Sequence, residues 1–361
     1  LPWRPQHGRV VRFFCNIKHP DGRDFEGDCR NILKEVIKDS KQKGFTCKIG
    51  CESGFYLFEQ DEFGNPTMIP YDKGTYCDIY PNDRCENIRR DICLSLEEMG
   101  IKPTSSHHEQ GPGQNEIDYE YSNALSAADN LISFRSLVKT KASENGLFAS
   151  FMPRPLETEC GSGLHINISL YKDNKNIFED KNDKQYKYAE NFISGILNRI
   201  EEITLFLNSS TNSYKRLGKD KAPKYITWSK ENRSQLIRIP ASKGDRCRME
   251  LRSPDSSCNP YIAFALLIKA GIEGIEKNLQ LCNPHNINLF NANDNKVKNL
   301  KTLPNNLNEA INNALNSEFI KTVLPQKTIN NYIDDKKQEW DIYNSITDKF
   351  KAEKELYFEK F

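Results

Sequence analysis

The 361-residue chain has no run of 18 apolar residues, which excludes a spanning helix. No basic-then-apolar leader opens it, so no signal peptide is expected. It begins at Leu1 rather than Met, so the natural start is expected to lie upstream. None of its eleven cysteines forms a CxxC pair, and the closest spacing is Cys47 to Cys51. A scattered, odd set argues against a disulfide framework or a zinc site and for a reduced, cytoplasmic compartment. Neither charge sign dominates: 51 Lys and Arg face 50 Asp and Glu, a net charge of +1. No global field therefore points to nucleic acid or a membrane surface. There is no GxxxxGKS/T, no GxSxG and no HExxH, which removes P-loop, nucleophile-elbow and zincin chemistry. No internal repeat is apparent.

Apolar residues make up 37% of the chain and charged residues 28%. The length is enough for two or three domains, or for one large domain with an accessory. Residues 9–15 (RVVRFFC) alternate loosely and predict a strand. KIGCESGFYLF, residues 48–58, reads as strand, tight turn and strand, with Glu52 at the reversal and Gly54 two positions later. Further strands are predicted near 104–109, 147–152 and 164–170. Helices are predicted over 28–44, 83–100, 122–143, 185–207, 258–278, 307–317 and 326–345. Strands interleaved with helices, then a helical C-terminal third, predict an α+β fold. The Asn-rich stretch 284–314 reads as a solvated loop and helix surface.

The chemistry gathers in four stretches. In SSHHEQGPGQNEIDYEY (105–121), Glu109 and Glu116 flank a Gly-Pro-Gly turn. Two acids brought together share a proton or a cation, unless the hairpin is merely polar and solvated. In CGSGLHINISL (160–170), Gly161 permits close backbone approach to a ligand. His165, Asn167 and Ser169 then share one strand face, which is either an exposed sheet surface or the lining of a nucleotide cleft. Residues 211–240 carry Arg216, Arg233 and Arg238 among β-formers, a setting for carboxylate or phosphate recognition or for surface salt bridges. In CRMELRSPD (247–255), Arg248, Glu250 and Arg252 alternate toward one face. Acids, a histidine and arginines together suit a metal–phosphate–carboxylate site.

The chain resembles type I glutamine synthetases over nearly its whole length. The matching stretches, in order, are LPWRPQHGRVVRFFCNIKHPDG, GCESGFYLF, HHEQGPGQNEIDYEY, ASFMPRPL, GSGLH, NSYKRL, NRSQLIRIP, ELRSPD and NPYIAFALLIKAG. The resemblance implies a glutamine synthetase fold: a partial β-grasp N-terminal domain (1–22), then a catalytic domain (23–361) with a curved antiparallel sheet and surrounding helices. It implies a homo-oligomer in a stacked double ring, with each site between neighbours. The implied substrates are glutamate, ammonia or another amine, and ATP, with Mg²⁺ or Mn²⁺. It places Glu52, His165 and Glu250 on the nucleotide-side metal, and Glu109 and Glu116 on the substrate-side metal, whose third ligand falls on Gly54. Gly161, Arg216 and Arg252 match substrate-binding positions. Arg233 and Arg238 match positions handling the transferred phosphate and nucleotide, while Tyr121, Asn167, Ser169 and Arg248 match the nucleotide pocket. Cys160 replaces an asparagine. Lys221 aligns with a flap glutamate, one residue short, with Asp220 beside it as a substitute acid. The resemblance thus implies three functions: a glutamine-forming ligase, a γ-glutamyl ligase for another amine, or a nucleotide-binding paralogue with a regulatory or structural role.

Overall fold

The computed structural model describes residues 1–4, 8, 10–180, 182 and 184–361. Residues 45–60 do not reverse at Glu52. They form one strand, β1 (Phe45–Gln60), because neither Gly50 nor Gly54 adopts a positive φ and both strand edges are paired. One edge meets β7 (Leu164–Lys172) and β6 (Leu147–Ser150). The other meets β5 (Ser122–Asn123), β4 (Gln114–Tyr119) and β2 (Pro66–Pro70). β3 (Pro103–His108) pairs with β4, and β8 (Lys175–Asn176) with β7. β11 (Met249–Leu251) joins β7, followed by β10 (Ile237–Ile239) and β9 (Trp228–Lys230). The sheet is antiparallel except for β9 and β10, which run parallel, a departure from the wholly antiparallel expectation.

Side chains alternate across this sheet. On β1, Ile49, Cys51, Phe55 and Leu57 are buried on one face. On β7 the same face carries Leu164, Ile166, Ile168 and Leu170, on β4 Ile117 and Tyr119, and on β11 Met249 and Leu251. Helices cover it: α1 (Cys29–Gln42), α2 (Glu86–Glu98), α3 (Ala124–Glu144), α4 (Tyr186–Leu207), the short α5 (Ser213–Arg216) and α6 (Pro260–Glu276). The chain continues through α7 (Asp294–Val297), α8 (Leu307–Leu315), α9 (Glu318–Lys321), α10 (Gln326–Ser345) and α11 (Lys349–Tyr357). Among the described residues no helix is long and apolar enough to cross a membrane. The expected long helices are present with ends shifted by a few residues; α5, α7, α9 and α11 were not expected. α11 is highly charged, and its few apolar residues give weak periodicity. Tyr357 and Phe358 nevertheless pack on Tyr56, Phe58 and Met152, on the opposite face of β1. The Asn-rich stretch forms loop, α7 and α8 as expected.

The strand expected over 9–15 is not found. Arg9 lies outside the described residues, and 10–15 form no strand. No neighbouring strand supplies ladder partners there, and Val11 and Phe13 are exposed. The only pairing near this end among the described residues is an isolated bridge from Lys18 to Asp24.

α6 is buried along most of its length, with Asn259 capping it by accepting from Tyr261 N at 3.0 Å and Pro260 in its first turn. It crosses α4 at glycines: a Cβ on Gly195 would stand 2.1 Å from Ala270 O and 2.8 Å from Gly274. Arg199 of α4 clamps Glu273 of α6 at 2.7 and 2.9 Å.

Two predictions follow from this crossing. Gly195→Ala gains about 1 kcal/mol of helix propensity but overpacks the contact, at a cost of ~1–3 kcal/mol or more. Its urea midpoint should fall; a rise would mean the helices separate freely. Arg199 holds the Glu273 carboxyl down to about 2, against burial. A depressed carboxyl contributes stability above its unfolded value, about 4.3, and that contribution is lost as pH falls through the folded value. Glu273→Gln should therefore flatten the loss of stability between roughly pH 4 and pH 2; an unchanged slope would count against the clamp.

Candidate active site

The polar face of the same pleat forms a cleft. Register places Glu52 of β1 opposite His165 of β7, and Glu250 of β11 opposite Asn167. His165 Nδ1 lies 2.9 Å from Glu52 Oε2 and 3.6 Å from Glu250 Oε1. The three residues offer donor atoms within 4.8 Å of one another, the spacing of a cation site. Asn167 Nδ2 donates to Glu52 Oε1 at 2.9 Å, and Arg248 Nε donates to Asn167 Oδ1 at 2.8 Å. Burial alone would raise the Glu52 carboxyl. His165, Asn167 and Arg248 instead bring it down to about 2. Glu250, fully buried, is bracketed by Arg238 at 2.8 Å and by Arg252.

A second group sits on the β3–β4 hairpin. His107 Nε2 lies 3.3 Å from Glu109 Oε1 and 3.7 Å from Glu116 Oε1. Burial, together with the charges of Asp118, Glu52 and Glu109, pushes the Glu116 carboxyl well up. Burial and the nearby acids Glu52, Glu109 and Glu250 likewise raise Asp118 to about 8. The hairpin is held from behind by a buried polar network. His108 Nε2 lies 2.9 Å from Asp72, and its Nδ1 2.6 Å from the Glu109 carbonyl. Asp72 also accepts from Gly113 N at 2.8 Å. Arg89 pairs with Asp83 and donates to Asn115 Oδ1. This network places both glutamates without touching the cleft.

The 160–163 turn closes the cleft beside Gly54. A Cβ on Gly54 would stand 3.1 Å from Ser162 Cβ, and one on Gly161 2.7 Å from Pro153 O. Gln114 Nε2 donates to Gly161 O and Ser162 Oγ, so the hairpin and this turn support each other. Arg216 lies on the last turn of α5, not among β-formers. Its guanidinium donates to the Arg252, Ser253 and Pro254 carbonyls beneath the turn. Lys221 projects over the hairpin with Nζ 3.7 Å from Glu109 Oε2. Asp220 does not take its place: its carboxylate turns to Arg154 at 3.2 Å. Gly54, Glu109, Glu116, Gly161, His165 and Lys221 line one cleft.

The family described as "Glutamine synthetase, catalytic domain" matches residues 26–355. The chain belongs to the glutamine synthetase family. The glutamine synthetase of Clostridium saccharobutylicum is 46% identical over 350 residues, covering 96% of this chain and 79% of the relative. That of Methanosarcina mazei is 44% identical over 351 residues, covering 96% and 78%. Among solved structures, a GmaS/ADP complex superposes with TM-score 0.82 at 28% identity, covering 93% of this chain and 79% of that one. A Plasmodium falciparum glutamine synthetase gives 0.80 at 27%, covering 92% and 79%. The glutamine synthetase fold is thus shared with these neighbours.

Not every expected residue faces the cleft of this glutamine synthetase-family chain. Ser169 is buried, and its hydroxyl donates to Cys247 O. Arg233 stands exposed on the turn between β9 and β10. Tyr121 folds over Gly50, with Lys48 Nζ 5.3 Å from its ring centroid. Sequence reasoning overlooked His107, Asp118, Tyr76 and the Asp72–His108 pair. Period-two alternation from Glu116 would have found Asp118; nothing local marks Asp72.

The acid clusters predict cation binding. Millimolar Mn²⁺ or Mg²⁺ should raise the thermal midpoint, a chelator should reverse the rise, and His165→Ala should lose most of it. A wild-type midpoint indifferent to either ion would remove these clusters as cation sites.

Proposed function

We propose that this chain is an ATP-dependent ligase that joins the γ-carboxylate of glutamate to ammonia. The observation that carries the reading is the arginine-bracketed Glu250 beside Glu52 and His165, facing the same cleft as Glu109 and Glu116. A carboxylate and imidazole donor set of this spacing fits a divalent ion. The hairpin set fits less completely, with two carboxylates and His107, and with Gly54 opposite Glu116. Mg²⁺ or Mn²⁺ held there would neutralise phosphate charge.

The reaction has two steps. A γ-carboxylate oxygen attacks the terminal phosphorus of ATP, an O–P bond forms, and ADP leaves with the broken bridging bond. The amine nitrogen then attacks the acyl carbon, phosphate leaves with the C–O bond electrons, and the surplus amine proton passes to a base. Arg252 and Arg216 bear on the glutamate end, with Gly161 giving backbone access. Arg238, Arg248, Asn167 and Tyr121 form the nucleotide end, with Ser169 tying β7 to β11 beneath it. Arg233, on an exposed turn, is free to close on the transferring phosphoryl group. We assign residues 1–22 to the N-terminal domain and 23–361 to the catalytic domain of a cytoplasmic homo-oligomer arranged as a double ring. The Lys221–Glu109 contact favours a second reading, in which the acceptor is an amine other than ammonia or the site turns over weakly.

With ATP, Mg²⁺, glutamate and hydroxylamine, γ-glutamyl hydroxamate should form, and Glu250→Gln should reduce it at least 100-fold. Hydroxamate formation requires both steps. Its absence, with ATP still stabilising the protein, would leave a nucleotide-binding paralogue.

A further inference from the structure

We propose that Lys221 is a tethered cation seated in the acceptor-amine pocket of the cleft, and that it sets the affinity of the chain for free ammonium. The naming of the pocket as an acceptor site rests on the ligase reading; its cation-binding character does not.

The loop carrying Lys221 is built to hold it there. Gly218 and Asp220 adopt positive φ values of 77° and 52°, bending the backbone within four residues. Lys219 N donates to Arg216 O, and Ala222 N donates to Lys219 O. Asp220 is moored to Arg154, which is nearly buried and also donates to Lys215 O at 3.2 Å. Anchored on both sides, Lys221 extends toward the hairpin. Its Nζ sits 4.0 Å above the Tyr76 ring centroid and 3.7 Å from Glu109 Oε2.

An aromatic face and a carboxylate together recognise a small cation with N–H donors. Tyr76 is braced for this by His107, edge to face at 5.5 Å, and His107 in turn lies between Glu109 and Glu116. An alkylammonium and a free ammonium ion present the same charge and similar donors, so one excludes the other. At 3.7 Å the contact to Glu109 exceeds a hydrogen-bond distance, and the Lys221 side chain is 38% exposed. The Nζ group can therefore leave. A short tether gives it an effective concentration on the order of millimolar, which free ammonium must exceed to enter.

The test compares thermal midpoints in ammonium chloride and in sodium chloride at equal ionic strength, without nucleotide or glutamate. The wild type should show no ammonium-specific rise across millimolar concentrations. Lys221→Ala and Lys221→Ser should each gain a saturable rise with half-saturation at least tenfold below any wild-type response. Adding Glu109→Gln to either variant should abolish it. An equal rise in wild type and variants would overturn the proposal, as would no rise in either variant. The hydroxamate assay reads the ligase function separately: its failure would sink that reading while the midpoint comparison still decides whether Lys221 occupies a cation pocket. If hydroxamate forms, Lys221→Ala should also lower the KM for ammonium at least tenfold; an unchanged KM would count against the proposal.

Discussion

The two-residue period of a single long strand underlies the rest of this molecule. β1 runs from Phe45 to Gln60 with strands on both edges, so the pleat leaves no freedom over which side chains face the helices. Moving the register by one residue would drive Glu52 into the apolar layer and Ile49 and Cys51 into the cleft. Burying an unpaired carboxylate costs several kcal/mol, so the apolar face and the charged face enforce each other. β7, β4 and β11 obey the same parity, and Glu52, Glu116, Glu250 and His165 therefore meet from four strands, with Glu109 added by the β3–β4 hairpin.

That convergence carries an electrostatic load. Glu52, Glu109, Glu116, Asp118 and Glu250 crowd one side of the sheet, and like charges in a partly dry site oppose ionisation. Around Glu52 and Glu250 this is balanced by Arg238, Arg248 and Arg252. At the hairpin end, among the described residues, His107 and Lys221 are the cationic groups paired with the acids, and there Glu116 and Asp118 are held toward their neutral forms. The two ends thus differ in kind. One is saturated with fixed cations, whereas the other is left to mobile ones. Gly54, where resemblance places a third acid, lessens the negative charge at the second end, and Ser162 stands close to where a side chain would begin.

Rigidity behind the cleft comes from buried polar contacts, not from the apolar core alone. Asp72 and His108 tie the loop after β2 to the Glu109 hairpin. Asn212 links Arg154 to Glu353 of α11. The C-terminal helix thereby reaches, through Arg154 and Asp220, the loop that carries Lys221. Each of these pairs joins positions far apart in the chain.

Most of the long helices were legible in the sequence because each carries an apolar stripe and end signals, as with Asp28 before α1 and Asn259 before α6. The polar faces of β7 and β11 were legible from alternation alone, and so were His165, Asn167 and Glu250 as neighbours in kind. The CESG run misled, since a glycine permits a turn without requiring one, and pairing on both edges kept it extended. Residues 10–15 misled in the opposite sense: strand-like composition forms no strand without a partner. α11 escaped notice because its burial depends on Tyr56 and Phe58, some 300 positions away. The sequence by itself determined which residue types could hold cations and phosphates, because that is a property of side-chain chemistry. Only the tertiary structure decided that Asp220 faces Arg154 while Lys221 faces Glu109, since adjacent residues are sent apart by backbone angles that the packed loop alone imposes.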